Sequence, residues 1–409
     1  MNPSIVSTRD VTADAATTSH QGRPESADPG GFLFCRNEYH VIAAGVEQPF
    51  ADVTLAASAL RDGSVRAVVG AIPFDTTDDA ALWAPQTVSK HTGTWTASTR
   101  LGIPDTGTPH TGIPHAGVPH AAIERADPDT AEHRRRVVSS VRRLADPSDE
   151  LEKVVLARTL RLSADGAISP WEIAARMRAA DSNGSVFVTD LSAASGHRGA
   201  HLVGASPEVL ICKRGTTVTA HPLAGSSARH PDPRIDAERG RALKNSTKDH
   251  TEHRYVVDAL AAALTPLCDT LHIPEEPVLM TTPTMWHLGT PIEATITERS
   301  ITSLDLALAV HPTPAICGTP TRPAREHILA TEGPRGFYAG AVGWSESATA
   351  GGDGEWMVTI RCAEIAADGR SAVTWAGGGI VAASDPDAEV SETESKFAAV
   401  LDAFRIDRG

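Results

Sequence analysis

From residue 31 onward, short apolar runs alternate with turns. Residues 32–34, 41–43 and 65–69 are rich in Phe, Val, Ile and Leu and read as strands. Val137, Val138, Val141 and Leu144 recur at helical spacing and predict a helix over 129–144. Beyond it, strand and helix alternate. The pattern gives a helix at 171–179, strands at 186–191, 201–204, 209–213 and 217–220, and a broken helical stretch over 236–267. A helix at 304–310, strands at 338–345, 356–365 and 372–376, and a closing helix at 387–404 complete the chain. Runs of strands with helices between them predict an α+β fold with large antiparallel or mixed sheets.

One strand breaks its own pattern. In residues 151–162, alternation puts Val154, Leu156, Leu160 and Leu162 on one face and Lys153, Val155, Ala157 and Thr159 on the other. The first face reads as core. The second is small and half polar, as a pocket wall is. A lysine held there can shed part of its hydration and act as a general base. On an edge strand the same lysine would simply point into solvent.

Composition narrows the function classes. Charged residues make up 22% and apolar residues 41%, an ordinary globular balance, so 409 residues can bury a large core. The net charge of −14 supplies no basic patch for phosphates, which argues against nucleic-acid and membrane-surface binding. No apolar run reaches the ~18 residues of a membrane span. Residues 1–30 lack the charged start and apolar stretch of a secretory signal and read as a disordered arm. Five scattered cysteines without a C-x-x-C point to reduced thiols and a cytoplasmic protein. Residues 102–122 are dense in Gly and Pro, with His110, His115 and His120 at five-residue intervals; they read as an exposed loop or a metal-binding tract.

Several other segments carry candidate chemistry. In the closing helix, Pro386 follows a capping side chain, and Glu389, Glu392 and Lys396 share one side beside an apolar face. Two carboxylates beside a buried seam suit a hard cation such as Mg²⁺; an exposed Glu392–Lys396 pair is the plainer reading. Gly377, Gly378 and Gly379 read as a turn between strand and helix that brings backbone N–H groups to an anion. Glu208, after Pro207, can be a protonated acid if buried, or a turn carboxylate in water. Residues 221–226 resemble a backbone turn placed near a ligand. Glu252 is either a metal carboxylate or a first-turn acid favoured by the helix dipole.

In this order, the segments resemble the chorismate-utilising enzymes, and within them the isochorismate synthases of the enterobactin-type siderophore branch. The motifs are 153–158, 204–208, 222–226, 248–253 and 311–315, then 338–344, 354–363 and 376–380, followed by the helix carrying Glu389 to Lys396. The resemblance spans roughly 131–405. It implies one α+β catalytic domain over 31–409, with two large packed antiparallel sheets, helices outside and a cleft between. It implies a Mg²⁺-dependent isomerase that converts chorismate to isochorismate, a monomer with a small-molecule substrate as its partner. Lys153 then resembles the base and Glu208 the acid, while Glu252, Glu389 and Glu392 resemble the Mg²⁺ carboxylates. Arg361, Lys396, Tyr338 and the Gly379 backbone resemble the groups that bind substrate carboxylates, with Leu223, Ala224, Gly225, His287, Ala315 and Ile316 also expected at the substrate. Aminating relatives usually have Gln at the Lys153 position and Pro-Ile-Ala-Gly-Thr at 222–226. Salicylate synthases, which go on to eliminate pyruvate, tend to have Thr at the Ala315 position. The pathway, siderophore or menaquinone, stays open, and an inactive homologue would need a broken catalytic set.

Overall fold

The computed structural model describes residues 30–96, 119–181 and 184–406. Residues 1–29 and most of the Gly/Pro/His segment therefore lie outside the described residues. Seventeen of the described strands form one hydrogen-bonded network, and three more form a small separate sheet. Every pairing in them is antiparallel. The α+β class is as expected, but the large sheets are continuous. Strand Phe32–Cys35 joins them, pairing with Ser185–Asp190 on one edge and Tyr39–Phe50 on the other.

Alternation along that joining strand sets the layers. Phe32 and Phe34 enter the main core, while Leu33 and Cys35 enter a second one. Phe187 and Val188 divide in the same way. The second core lies under helices Pro170–Ala180 and Pro386–Ala403, through Ile173, Met177, Phe397, Val400 and Phe404. At about 25 cal/mol per Å² of buried apolar area, such faces hold the helices onto the sheet.

Most of the predicted elements are present with shifted ends. The broken helix resolves into Pro233–Lys244 and Thr247–Leu264, with the Ser246 side chain capping the second. Helices Val53–Asp62 and Thr321–Glu332 were not legible in the pattern. Three differences matter for the site. The single strand expected at 356–365 is two, Gly354–Val358 and Cys362–Ile365, broken where Arg361 takes φ 51°. The Gly377–Gly379 run is no turn: it lies inside strand Ser371–Ile380, paired with Lys153–Ala164 from end to end. Residues 223–228 form a strand of the small sheet, not a turn, with Gly225 at φ 79° where its register shifts.

Candidate active site

The site opens where strands pass between the two large sheet regions. Glu208 sits in the link between His201–Ser206 and Val209–Arg214, and Arg361 in the link between Gly354–Val358 and Cys362–Ile365. An irregular backbone at such a crossing aims side chains inward, and the positive φ of Arg361 is the kind of local strain that clusters at functional sites. The cavity there spans about 750 Å³ of space between atoms, part of it open to solvent. Glu208, Leu223, Ala224, Gly225, Glu252, His287, Ala315, Ile316, Tyr338, Arg361, Gly379, Glu392 and Lys396 all line it. Lys153 and Glu389 are not part of this lining: Lys153 stands behind it against Glu252 and Gly379, and Glu389 lies beside Gly378 and Lys248.

Lys153 does not point into solvent. Its side chain is 0% exposed, and Nζ lies 3.0 Å from Glu252 Oε1. The face reading of its strand holds in part: Val155 lines the cavity, Val154 and Leu156 enter the main core, and Leu160 and Leu162 enter the second, but Ala157, expected on the pocket face, also enters the main core. Glu208 is also buried. Loss of hydration pushes its carboxyl up to about 7, against the lowering effects of the Leu223 N–H, Lys153 and Lys396. It is therefore still partly protonated near neutrality.

The three candidate metal carboxylates each meet a lysine. Glu252 pairs with Lys153. Glu389 Oε1 accepts from Lys248 Nζ at 2.9 Å. Glu392 accepts from Ser226 Oγ at 2.7 Å and lies 2.5 Å from Lys396 Nζ. Burial and the adjacent Glu392 charge push Glu389 up to about 7, whereas Lys396 and Ser226 outweigh burial and hold Glu392 low. Glu252 lies in the second turn of its helix, so the first-turn dipole reading does not apply to it. The Glu392–Lys396 pair does form, but on the cavity wall, where Lys396 also donates to Gly377 O at 2.8 Å.

The glycine strand explains why these groups can crowd together. A Cβ on Gly379 would sit 2.1 Å from Glu252 Oε1 and 3.1 Å from Lys153 Cε; one on Gly378 would sit 3.0 Å from Glu389 Oε2. One on Gly377 would approach the Tyr338 hydroxyl at 2.9 Å. Three strand glycines thus admit Lys153, two carboxylates and the tyrosine against one backbone. Among the described residues, no group of three His, Cys, Asp or Glu side chains is already gathered into a metal cage. The donor chemistry nonetheless suits a hard cation: three carboxylates, of which Glu389 has a buried Oε2 with no hydrogen-bond partner.

Basic and aromatic groups complete the wall. Arg361 and Lys396 supply cations. Burial, helped by Arg361 and Lys396, lowers His287 to about 3, so its imidazole is neutral, and its buried Nε2 is unpartnered. Burial keeps the Tyr338 hydroxyl protonated, and its ring stacks on Trp375 at 5.6 Å. Sequence reasoning assigned no role to Lys248, although a lysine in the first turn of a helix opposes the dipole and was a usable signal. Nor did it single out Ser226 as a partner of Glu392.

Comparisons with known proteins give the family. The family model described as "Chorismate binding enzyme" matches residues 108–405. The chain is 42% identical over 378 residues to MenF of Mycobacterium tuberculosis, covering 92% of this chain and 96% of that one. It is 41% identical over 344 residues to the isochorismate synthase DhbC of Bacillus subtilis, covering 83% and 81%. The DhbC structure from Bacillus anthracis superposes with a TM-score of 0.80 at 32% identity, covering 94% of this chain and 98% of that one. The sequence motifs, the cavity they build and these relatives lead to one assignment: the chain belongs to the chorismate-binding enzyme family.

Proposed function

We propose that this protein is a Mg²⁺-dependent isochorismate synthase. The observation that carries the reading is a fully buried lysine and a buried, proton-holding glutamate serving one cavity. Chorismate has two carboxylates and a ring hydroxyl. Its conversion to isochorismate adds water at one ring carbon and expels the hydroxyl from another, with the ring double bonds shifting between them.

Water is a weak nucleophile, so Lys153 must take its proton as it attacks, which requires it to leave Glu252. Hydroxide is a poor leaving group, so Glu208 gives its proton to the departing oxygen, which leaves as water. Turnover ends with Lys153 protonated and Glu208 ionised, and passage of one proton between them through solvent resets the pair. Arg361 binds a substrate carboxylate in a bidentate way, with Lys396, Tyr338 and the Gly379 N–H as further donors. Glu252, Glu389 and Glu392 would hold Mg²⁺, which supplies a clamp and a compensating charge for the other carboxylate. The neutral His287 offers its free ring nitrogen without adding charge.

Lys153 also favours water over ammonia, because aminating relatives usually carry Gln at this position. Purified protein with chorismate and Mg²⁺ is expected to release isochorismate, resolved by chromatography. Salicylate with pyruvate as the main products would overturn the reading in favour of a synthase with lyase activity, and no turnover would overturn it outright.

A further inference from the structure

The strand that carries Lys153 has a gap along one edge. Ser371–Ile380 pairs with the whole of its other edge, from Ser163 to Val154. On the near edge, Gly318–Thr319 covers Val154 and Lys153, and Ala121–Asp127 covers Thr159 to Ala164. Val155 N still donates to Cys317 O at 2.8 Å, just before the short strand, but beyond that contact no strand pairs with this edge as far as Arg158. Side chains fill this space. Glu332 Oε1 accepts from Ala157 N at 2.6 Å, and Arg335 Nη2 donates to Val155 O at 2.8 Å.

The two side chains are also bound to each other. Arg335 Nε donates to Glu332 Oε2, and Nη2 to Glu332 Oε1, both at 2.9 Å. Arg335 Nη1 donates to Ile316 O at 2.8 Å, and its guanidinium lies 5.8 Å from the Tyr338 ring centroid. One buried pair therefore touches three parts of the cavity: the backbone two residues beyond Lys153, the Ala315–Ile316 segment and Tyr338. A buried ion pair is a poor source of stability compared with apolar packing, so its retention asks for another reason. Glu332 is the last residue of helix Thr321–Glu332, where the dipole disfavours an acid. The pair stands where geometry requires it and local helix preference does not.

The geometry points to Glu332 and Arg335 as positioning residues for the reaction. They stand in for the missing strand and fix Lys153 relative to the Ile316 wall and the Tyr338 ring. Neither lines the cavity, so neither is a catalytic residue. The assignment rests on the proposed role of Lys153 as base.

The discriminating variant is Arg335→Lys. It retains a cation opposite Glu332, but a single ammonium cannot span Glu332, Val155 O and Ile316 O as the planar fork does. Misplacement by about 1 Å costs about 10²-fold in rate, so kcat is expected to fall by 10-fold to 10²-fold. Chorismate affinity by calorimetry and cooperative thermal unfolding should stay near wild type. Glu332→Gln, which keeps an oxygen for the Ala157 N–H, should show a loss of the same kind.

Three results would overturn the assignment: folded Arg335→Lys with kcat within about twofold of wild type, a loss confined to KM, or failure of both variants to fold, which would make the pair a stability element only. Wild-type protein is assayed alongside. If it makes no isochorismate, the functional reading fails; if it is active and Arg335→Lys is equally active, only the positioning assignment fails.

Discussion

Glu208→Gln separates what the acid does for chemistry from what it does to stability. Glutamine keeps the size of the side chain and an oxygen for the Leu223 N–H, but has no proton to give. Turnover should fall by roughly 10²- to 10⁴-fold, the usual worth of a positioned general acid. The stability effect has the opposite sign. Burial raises this carboxyl from 4.5 to about 7. Between those values the folded protein binds more protons than the unfolded chain, so stability falls as pH rises. The contribution is fully present below 4.5 and is lost as pH passes through about 7.

At ~1.4 kcal/mol per pH unit, this interval corresponds to about 3 kcal/mol of stability missing from the wild type at pH 8. Glutamine, neutral throughout, does not incur that loss. Urea unfolding with chelator present should therefore show Glu208→Gln more stable than wild type by about 3 kcal/mol at pH 8 and by under about 1 kcal/mol at pH 5. The kcat/KM of the wild type should carry a descending limb near pH 7 from the same group. A variant no more stable than wild type at pH 8, or one whose advantage is equal at both pH values, would refute the argument that burial holds this proton.

Two further perturbations probe the rest of the set. Lys153→Ala should lower kcat by roughly 10²-fold or more in a steady-state assay; near-normal turnover would remove it as base. In Gly379→Ala the new methyl would collide with Glu252 Oε1, 2.1 Å away, so the Mg²⁺ concentration giving half-maximal activity should rise; an unchanged midpoint would place Glu252 outside the metal set.

Sequence periodicity located Lys153 at the pocket because alternation is a backbone property. Once 151–162 is read as a strand, Lys153 must face away from Val154 and Leu156. The closing helix was legible for the same reason, since its cap, Pro386 and apolar seam are all local. What stayed hidden depends on distant partners. The glycines at 377–379 carry no side-chain period, so only their pairing with Lys153–Ala164 reveals a strand. Nothing in the apolar run around Arg361 announces a left-handed backbone that breaks one strand into two. Glu332 and Arg335 look like surface charges, and only the edge at residues 155–158, about 175 residues earlier in the chain, gives them a function. Lys248 and Glu332 do share a local trace: each sits at the end of a helix that its charge opposes.

The lysine–carboxylate pairs also determine how substrate and metal must bind. Without ligands, Lys153, Lys248 and Lys396 each pair with one of Glu252, Glu389 and Glu392. Mg²⁺ alone would bring two positive charges among three lysines. Chorismate alone would bring two negative charges among the carboxylates. Together they add no net charge to a buried site, where unpaired charge is costly. Each should therefore strengthen binding of the other, and linkage requires the two factors to be equal. A coupling of about 1–3 kcal/mol, or roughly 5- to 150-fold, is the expected range. Calorimetry with an unreactive dicarboxylate analogue of chorismate would measure both factors, titrating analogue with and without Mg²⁺ and Mg²⁺ with and without analogue. Independent binding would mean that the lysines do not compete for the metal carboxylates, and that Glu252 can bind Mg²⁺ while still paired with Lys153.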